Sequence, residues 1–260
     1  MSTGSELLVA ARPDDQLIKL RVVGADLAKV EVDGDHVGWL RVSKETGEVW
    51  ATALGSDSGR VTAILIALTA TTQIDGITVE ASVYAKLPPT FLSAEPRSWC
   101  LWTLDPVKSG NRESSAIILA PNDKRIGELL VHSDSAHVFP GHDNIVRWSG
   151  VVREGELLSV GAQVRSANGA AHLVSICTHP SARGAGLARE VCSALITEAI
   201  ADEVPIIFLE MFAGNEPGRR VYSALGFSEV GVYRSGRLNK LAAQTVNRGE
   251  ATSAAQRLAC

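Results

Sequence analysis

The chain lacks the features that would assign it to several special classes of protein. It carries 25 Lys and Arg against 29 Asp and Glu, a net charge of −4, so it has no basic excess of the kind that marks nucleic-acid binding. No apolar run is long enough to span a membrane, and the longest, near residues 63–70, ends in a polar stretch. The N-terminus, "MSTGSELLVAARPDD", has no basic segment followed by a sustained apolar core, so we expect no signal peptide.

Cysteine is scarce, and its spacing indicates neither a zinc site nor a redox pair. The four cysteines, Cys100, Cys177, Cys192 and Cys260, form no CxxC motif. Cys177 and Cys192 fall on apolar faces of predicted elements, as is typical of buried free thiols in a reducing cytoplasm. With 45% hydrophobic and 21% charged residues, we expect a cytoplasmic globular protein that binds neither nucleic acid nor membrane.

The sequence also lacks a pattern of metal ligands. His132, His137 and His142 recur every five residues, a spacing that fits ligands on neither a helix nor a hairpin. "PG" at 140–141 marks this stretch as a loop. We therefore expect no metal here, and we interpret the stretch as a loop over a cleft, on the side from which an acceptor enters.

What the sequence does contain is a regular series of strand and helix patterns over residues 150–235. "GVVREGELLSVGAQVR" predicts a hairpin that turns at 153–156, and "AHLVSICTHP" predicts a third strand. Apolar pairs recur every four residues from Leu187 to Ile200 and predict a helix, and "PIIFLEMFA" then predicts a buried strand. Asn215 can cap a second helix that Gly226 ends, before a last strand, "FSEVGVYR". A strand–helix–strand crossover favours parallel pairing of the third strand with "PIIFLEMFA".

Between the third strand and the first of these helices lies "HPSARGAGLARE", residues 179–190. Its glycines can simply supply the backbone freedom that a turn requires. Alternatively, the backbone N–H groups of the turn can bind a phosphate at the helix N-terminus. The position at the carboxyl end of a strand favours the second interpretation, because ligands collect there in α/β sheets.

The N-terminal half shows a weaker version of the same order. "GDHVGWLRVSKETGEVWATAL" predicts a hairpin turning at 45–47, followed by "GSDSG", a helix over Arg60–Thr72 and a strand "ITVEASV". Gly59 precedes Gly186, and Glu80 precedes Glu210, by about half the chain, which suggests an internal duplication. Because the identity between the halves is slight, a merely shared α/β architecture stays open. The polar stretch 104–115 is interpreted as a linker.

Two motifs resemble those of the GCN5-related N-acetyltransferase (GNAT) superfamily. The R/Q-x-x-G-x-G/A loop of that family is matched from Arg183 to Ala188. Its N-x-x-A-x-x-x-Y-x-x-x-G-F motif is matched by "NEPGRRVYSALGF", which has Gly218 where alanine is usual. "HSDSAHVFPGHDNIVRWSGVV" is similar to the FR47-like branch, whose N-terminal half tends to be a degenerate copy of the same fold. The resemblance covers roughly residues 126–236.

The resemblance implies an α/β (α+β) protein with a tandem acyl-CoA N-acyltransferase-like fold, whose mixed, mostly antiparallel sheet is flanked by helices. Residues 1–110 would form a degenerate GNAT-like domain, 116–240 the catalytic domain and 241–260 a tail with little pattern. Since "GSDSG" lacks the arginine and the full spacing of the loop motif, the first half is not expected to bind the donor.

The resemblance also implies an N-acetyltransferase that transfers an acetyl group from acetyl-CoA directly to a primary amine of a small molecule or peptide. The donor diphosphate would contact the loop, and the pantetheine arm would pair with main chain of the third strand; the donor-binding residues are Arg183, Gly184, Ala185, Gly186, Leu187, Ala188, Ile176, Cys177, Thr178 and Asn215. Tyr222 matches the family's general acid. Glu210, a carboxylate in an apolar strand, is a candidate base.

Four alternatives stay open at the level of the sequence. Arg183 can be an exposed loop arginine, and Tyr222 can be a core residue of its helix. Glu210 can pair with an arginine such as Arg219 or Arg220. The chain can also be a regulatory protein that binds acyl-CoA without turnover, and homodimer formation is not decided.

Overall fold

The computed structural model describes residues 3–43, 46–108, 110 and 113–238. Its α-helices are α1 (Gly4–Ala11), α2 (Gln16–Arg21), α3 (Ser58–Thr69), α4 (Ala81–Tyr84), α5 (Lys124–Leu130), α6 (Leu187–Ala201) and α7 (Glu216–Ala224). Its strands are β1 (Lys29–Asp33), β2 (His36–Val42), β3 (Val49–Leu54), β4 (Gly76–Glu80), β5 (Arg97–Leu104), β6 (Ile117–Leu119), β7 (Ile145–Arg153), β8 (Glu156–Arg165), β9 (Ala171–Thr178), β10 (Ile207–Phe212) and β11 (Ser228–Arg237). None of the helices in these residues is long and apolar enough to cross a bilayer.

The chain divides into two compact units, and each contains residues from both sequence halves. The first unit comprises Met1–Trp99 and Val232–Cys260, and the second comprises Cys100–Gly231. The boundaries therefore fall inside β5 and β11. The domain ranges inferred from the sequence, with the degenerate character of the first, stay predictions, and the tail 241–260 lies outside the described residues.

In the first unit the strand order is β1-β2-β3-β4-β11. The β1–β2, β2–β3 and β4–β11 pairs are antiparallel, whereas β3 and β4 are parallel and are joined by α3. Val61, Leu65 and Leu68 of α3 are fully buried in the core of this unit. These residues form the face of α3 that packs on the sheet.

Three boundaries predicted in this unit are wrong. The helix begins at Ser58 rather than at Arg60, because the Asp57 side chain accepts a hydrogen bond from the Arg60 N–H and caps it there, and it ends at Thr69 rather than at Thr72. The strand "ITVEASV" ends at Glu80, and residues 81–84 form α4 instead. One helical turn at that point places Val83 and Tyr84 in the core, which an extended chain with alternating sides would not do.

The second unit has the strand order β5-β10-β9-β8-β7-β6. The pairs β6–β7, β7–β8 and β8–β9 are antiparallel, and β9–β10 is parallel with α6 as the crossover. The predicted hairpin turn at 153–156, the crossover helix and the parallel pair are confirmed. In both units, then, a mixed, mostly antiparallel set of strands is flanked by helices, which confirms the predicted fold class.

The helices α6 and α5 cover opposite faces of the β8–β9 pair. A Cβ atom at Gly161 would meet Val191 and Leu195 of α6. Val160 and Ala162, the neighbours of Gly161 along β8, instead belong to a core cluster with residues of α5. Since neighbouring strand residues point to opposite faces, the two helices enclose the strands between them. Cys100, Cys177 and Cys192 are free and buried, as expected for Cys177 and Cys192.

Candidate functional site

The candidate site begins where β9 separates from β10. β9 has eight residues and β10 has six, yet in the described chain only Ala171 and His172 of β9 have partners in β10. At the last pair, the His172 ring stacks on the Phe208 ring with centroids 4.2 Å apart. Beyond this point the main chain of residues 173–178 is left without a strand partner on that side. The result is an edge to which an extended ligand can add as a strand.

A β-bulge interrupts β9 just beyond that separation. Its register with β8 shifts between Ala162, which faces Val174, and Val160, which faces Cys177, so Ser175 and Ile176 together oppose Gly161. Ser175 has φ 52°, a left-handed conformation that a residue with a side chain rarely adopts. Such bulges redirect the chain next to active sites.

The glycine-rich turn follows β9 and leads into α6. Gly184 and Gly186 have φ 81° and 79°, and a Cβ atom built on either would meet no atom within 4 Å. Gly186 occupies the N-cap of α6 and provides no side-chain cap, unlike Asp123 for α5 and Asn215 for α7. In this part of the described chain, the N–H groups of residues 184–188 have no hydrogen-bond acceptor. The start of α6 is therefore an exposed row of donors at the positive end of a helix dipole.

Arg183 lies at the start of this turn, and its guanidinium donates hydrogen bonds to main-chain carbonyl oxygens. Its Nε donates to the Thr178 carbonyl oxygen at 3.4 Å, and its Nη2 donates to that of His132 at 3.3 Å. The rings of His132 and His179 meet edge to face, with centroids 4.9 Å apart. Arg183 thus holds the turn against the segment that follows α5, and its side chain is exposed beside the free N–H groups.

The three β9 residues predicted to contact the donor arm, 176–178, lie between Ser175 and the turn. The Ile176 side chain covers Gly161, where a Cβ atom would lie 2.3 Å from Ile176 Cδ1. Cys177 is buried, and its thiol donates to the Leu129 carbonyl oxygen at 3.4 Å. Burial raises the pKa of Cys177, although Arg183 acts in the opposite direction. A buried, protonated thiol is a poor nucleophile, so only the main chain of Cys177 is suited to a contact with a ligand.

The helix α7 places Tyr222 close to the second turn of α6. Tyr222 is 8% exposed, and its ring meets Phe227 edge to face. Burial raises the pKa of Tyr222 well above its usual range, and the nearby Cys192 of α6 raises it further. The hydroxyl is therefore protonated at neutral pH. The Asn215 side chain, in contrast, accepts from the Gly218 N–H at 3.0 Å and caps α7.

Gly218 is required by that cap. A Cβ atom at residue 218 would lie 2.6 Å from Asn215 Nδ2, so an alanine could be accommodated only if the capping side chain moved. This contact gives a physical reason for the glycine at the position where the GNAT motif usually has alanine.

Glu210 lies on β10, partly buried between the buried residues Leu209 and Met211. Arg219, one of the two arginines considered as a partner of Glu210, makes a short ion pair with Glu229, at 2.7 Å, and lies 3.9 Å from Glu216. Arg219 also packs over the Trp102 ring, 5.7 Å from its centroid. The structure therefore assigns Arg219 mainly to the pair with Glu229.

The second unit thus brings β9, the glycine turn, α6 and α7 into one region. A cleft of ≈ 570 Å³ runs along the start of α6 and is lined by Gly186, Arg189, Glu190, Ser193 and Glu113.

Sequence reasoning missed Ser175, whose one signal was a polar residue within the apolar run "HLVSIC". No group of three His, Cys, Asp or Glu side chains arranged to hold a metal ion occurs among the residues that the structure describes.

Part of the second unit matches a known protein family. The family model described as "FR47-like protein" matches residues 149–235, which contain β8, β9, the turn, α6, β10 and α7. This segment includes every donor-binding and catalytic residue predicted from the sequence.

Three solved structures are similar over nearly the whole chain. A GNAT-family protein from Novosphingobium aromaticivorans has 17% identity and a TM-score of 0.53, over 92% of this chain and 100% of that one. A GCN5-related N-acetyltransferase from Kribbella flavida has 15% identity and a TM-score of 0.53, over 92% and 96%. A GCN5-related N-acetyltransferase-like protein from Streptococcus suis has 11% identity and a TM-score of 0.55, over 90% and 98%. At these identities the likeness concerns the fold.

The separated parallel pair, the bulge and the uncapped helix thus occur together in the matched segment. Residues 149–235 match the FR47-like family model, and the fold that contains them is similar to that of solved GCN5-related N-acetyltransferases.

Proposed function

We propose that the second unit is an N-acetyltransferase that takes the acetyl group from acetyl-CoA and transfers it to a primary amine. The uncapped start of α6 carries this proposal. Five successive N–H groups without an acceptor and two glycines with open space above them form a site for a phosphate-bearing ligand. Anions bind at helix N-termini because the free N–H groups and the helix dipole both favour negative charge.

The rest of the donor then has one direction in which to extend. From a diphosphate at residues 184–188, the pantetheine arm would run back along β9, past Thr178 and Cys177 to Ile176. The missing β10 partner leaves that edge free for main-chain hydrogen bonds with the two amides of the arm. The thioester would then lie near the bulge at Ser175, where a main-chain N–H can stabilise the oxyanion of the tetrahedral intermediate.

Tyr222 is the proposed general acid. The amine nitrogen attacks the thioester carbonyl carbon, the C–S bond breaks, and the departing thiolate accepts a proton from the Tyr222 hydroxyl. A tyrosine hydroxyl is protonated at neutral pH before the reaction, because its ordinary pKa is about 10. Glu210, partly buried on β10, is the proposed base that accepts the amine proton, either directly or through a water molecule.

Binding and turnover of the full-length chain test this proposal separately. We expect acetyl-CoA to raise the free energy of unfolding by about 2.7 kcal/mol when its concentration is 100 times Kd. We also expect release of free CoA thiol when acetyl-CoA is combined with at least one of lysine, spermidine and trialanine. Stabilisation without thiol release from a broad amine panel would favour a regulatory acyl-CoA-binding protein. The absence of both would refute the proposed donor site.

A further inference from the structure

A reciprocal pair of hydrogen bonds ties the bulge of β9 to the loop of residues 131–144, which connects α5 to β7. The Ser175 hydroxyl donates to the Val138 carbonyl oxygen at 2.8 Å, and it accepts from the Val138 N–H at 3.2 Å. One side chain thus satisfies both main-chain groups of a residue 37 positions away. We call this pair of bonds the Ser175 clamp.

The clamp is made by a residue whose backbone is held in an unfavourable conformation. At φ 52°, Ser175 lies in the left-handed region, which is strained for a residue with a side chain relative to ordinary strand geometry. The bulge cannot easily relax, because the Ile176 side chain occupies the space that Gly161 leaves open on the opposite face. The hydroxyl of Ser175 is therefore presented to Val138 from a fixed main-chain position.

Val138 in turn fixes the position of the 131–144 loop relative to Ser175. It is 4% exposed and packs in the core cluster that contains Val174 and Cys177 of β9. Its two neighbours are exposed, and the Phe139 side chain keeps 47% of its accessible surface. The place of Val138 therefore decides where His137 and Phe139 project beside the bulge.

We infer that Ser175 is a positioning residue for the acceptor amine. The inference rests on the proposed function, in which the thioester lies near the bulge and the acceptor must arrive beside it. The clamp fixes the 131–144 loop to the strand that presents the thioester, so that the acceptor-side surface and the acyl carbon keep a constant separation. Ser175 acts through Val138 and the loop and does not itself exchange a proton.

Hydrogen exchange tests the clamp without any requirement for activity. In Ser175→Gly the hydroxyl is lost, but glycine adopts φ 52° without strain, so the variant is expected to fold. We expect the Val138 amide and its loop neighbours to exchange on the order of 5- to 30-fold faster, the effect of one or two lost neutral hydrogen bonds. Ser175→Ala should give the same acceleration. Unchanged exchange in both variants would overturn the clamp.

Kinetics test the positioning role. For whichever of lysine, spermidine and trialanine the wild type acetylates fastest, we expect Ser175→Gly to raise the acceptor KM at least fivefold. The Kd for acetyl-CoA, measured by calorimetry, should change less than twofold. The positioning role would be overturned if the Kd for acetyl-CoA rose as much as the acceptor KM. It would also be overturned if the acceptor KM stayed unchanged while the loop exchanged faster, and Ser175 would then have a purely structural role.

Ser149→Ala is the matched control. Ser149 is also a buried strand serine, but in the described chain its hydroxyl has no hydrogen-bond partner, so its loss should change neither the exchange of the loop nor the acceptor KM. Wild-type protein that binds no acetyl-CoA and acetylates no amine would refute the proposed function, and the acceptor role of Ser175 with it. Because the exchange measurement needs no substrate, that result is distinguishable from failure of the clamp.

Discussion

Replacing Gly186 by glutamate would place a side chain and a negative charge at the N-cap of α6, where the donor diphosphate is proposed to bind. A Cβ atom at this position meets nothing within 4 Å, so the new side chain has room in the folded protein. Its effect on folding should come only from the backbone, because φ 79° costs a residue with a Cβ atom roughly 1–2 kcal/mol. Its effect on binding should be larger, since it fills the space above the free N–H groups.

The electrostatic part of that effect can be bounded. Two unit charges 4 Å apart repel by about 1 kcal/mol in bulk water and by about 4 kcal/mol at the effective dielectric constant near a protein surface. Repulsion between the new carboxylate and the diphosphate should therefore weaken acetyl-CoA binding on the order of 5- to 1000-fold. Gly186→Gln adds a side chain of the same size without the charge, so the ratio of the two Kd values isolates repulsion. This ratio should shrink as ionic strength rises.

Gly169→Glu provides the matched control within the same unit. Gly169 has φ 83° in the turn between β8 and β9, and a Cβ atom there also meets nothing within 4 Å. Both variants should lose similar unfolding free energy in urea, whereas calorimetry with acetyl-CoA should show weakened binding for the variant at residue 186 alone. The proposed diphosphate site would be refuted if Gly186→Glu bound acetyl-CoA with wild-type affinity. It would also be refuted if Gly169→Glu lost as much affinity as Gly186→Glu.

Three further outcomes follow from the packing of the second unit. Tyr222→Phe keeps the buried ring and removes the hydroxyl, so in single-turnover assays the acetyl-transfer rate should fall on the order of 10²-fold while the Kd for acetyl-CoA changes little. Arg147→Met removes the cation that lies 2.5 Å from Glu198 and 2.6 Å from Asp202, although Asp202 keeps Arg165 at 3.7 Å; because the Glu198 carboxylate is partly exposed, urea titration should show a loss of about 1–2 kcal/mol. Burial raises the pKa of Cys192 to about 12, so iodoacetamide at pH 8 should modify it only after unfolding, as read by mass spectrometry.

Each of these has a result that contradicts it. Wild-type single-turnover rates in Tyr222→Phe would make the tyrosine a packing residue. An unchanged urea midpoint and slope in Arg147→Met would mean that the two ion pairs do not contribute net stability. Rapid modification of Cys192 in native protein would mean that α6 opens under native conditions, because the thiolate fraction at pH 8 is only about one in 10⁴ while the thiol is buried.

The elements of the second unit that could be predicted from sequence are those set by local signals. The periodic apolar pairs of α6, the Asn215 cap of α7 and Gly226 at its end act within a few residues, and the structure has each of them. Parallel pairing of β9 and β10 followed from the handedness of crossovers. The roles assigned to Tyr222 and Glu210 stay predictions, since they depend on a substrate.

The features that could not be predicted depend on contacts between distant segments. Ser175 acquires its left-handed backbone from a register shift against β8 and from Val138, and nothing local in "LVSIC" requires it. The free edge of β9 likewise results from the direction in which β10 departs. The strand predicted to continue past Glu80 was wrong for the same reason. The burial of Tyr84 in the core outweighed a continuous strand pattern in residues 81–84.

The pairing of β11 with β4 has a consequence for how the protein is made. Tyr233 to Arg237 pair with Glu80 to Gly76, so the last of the described strands completes the sheet of the first unit. During translation, the two strands leave the ribosome about 150 residues apart, which is roughly 8–30 s at ordinary elongation rates. Through that interval the nascent β4 exposes an unpaired edge, the kind of surface that recruits other chains. The sheet of the first unit, most of which is synthesised first, is therefore completed last. Chaperone protection should matter most for molecules truncated before residue 232, because they lack β11.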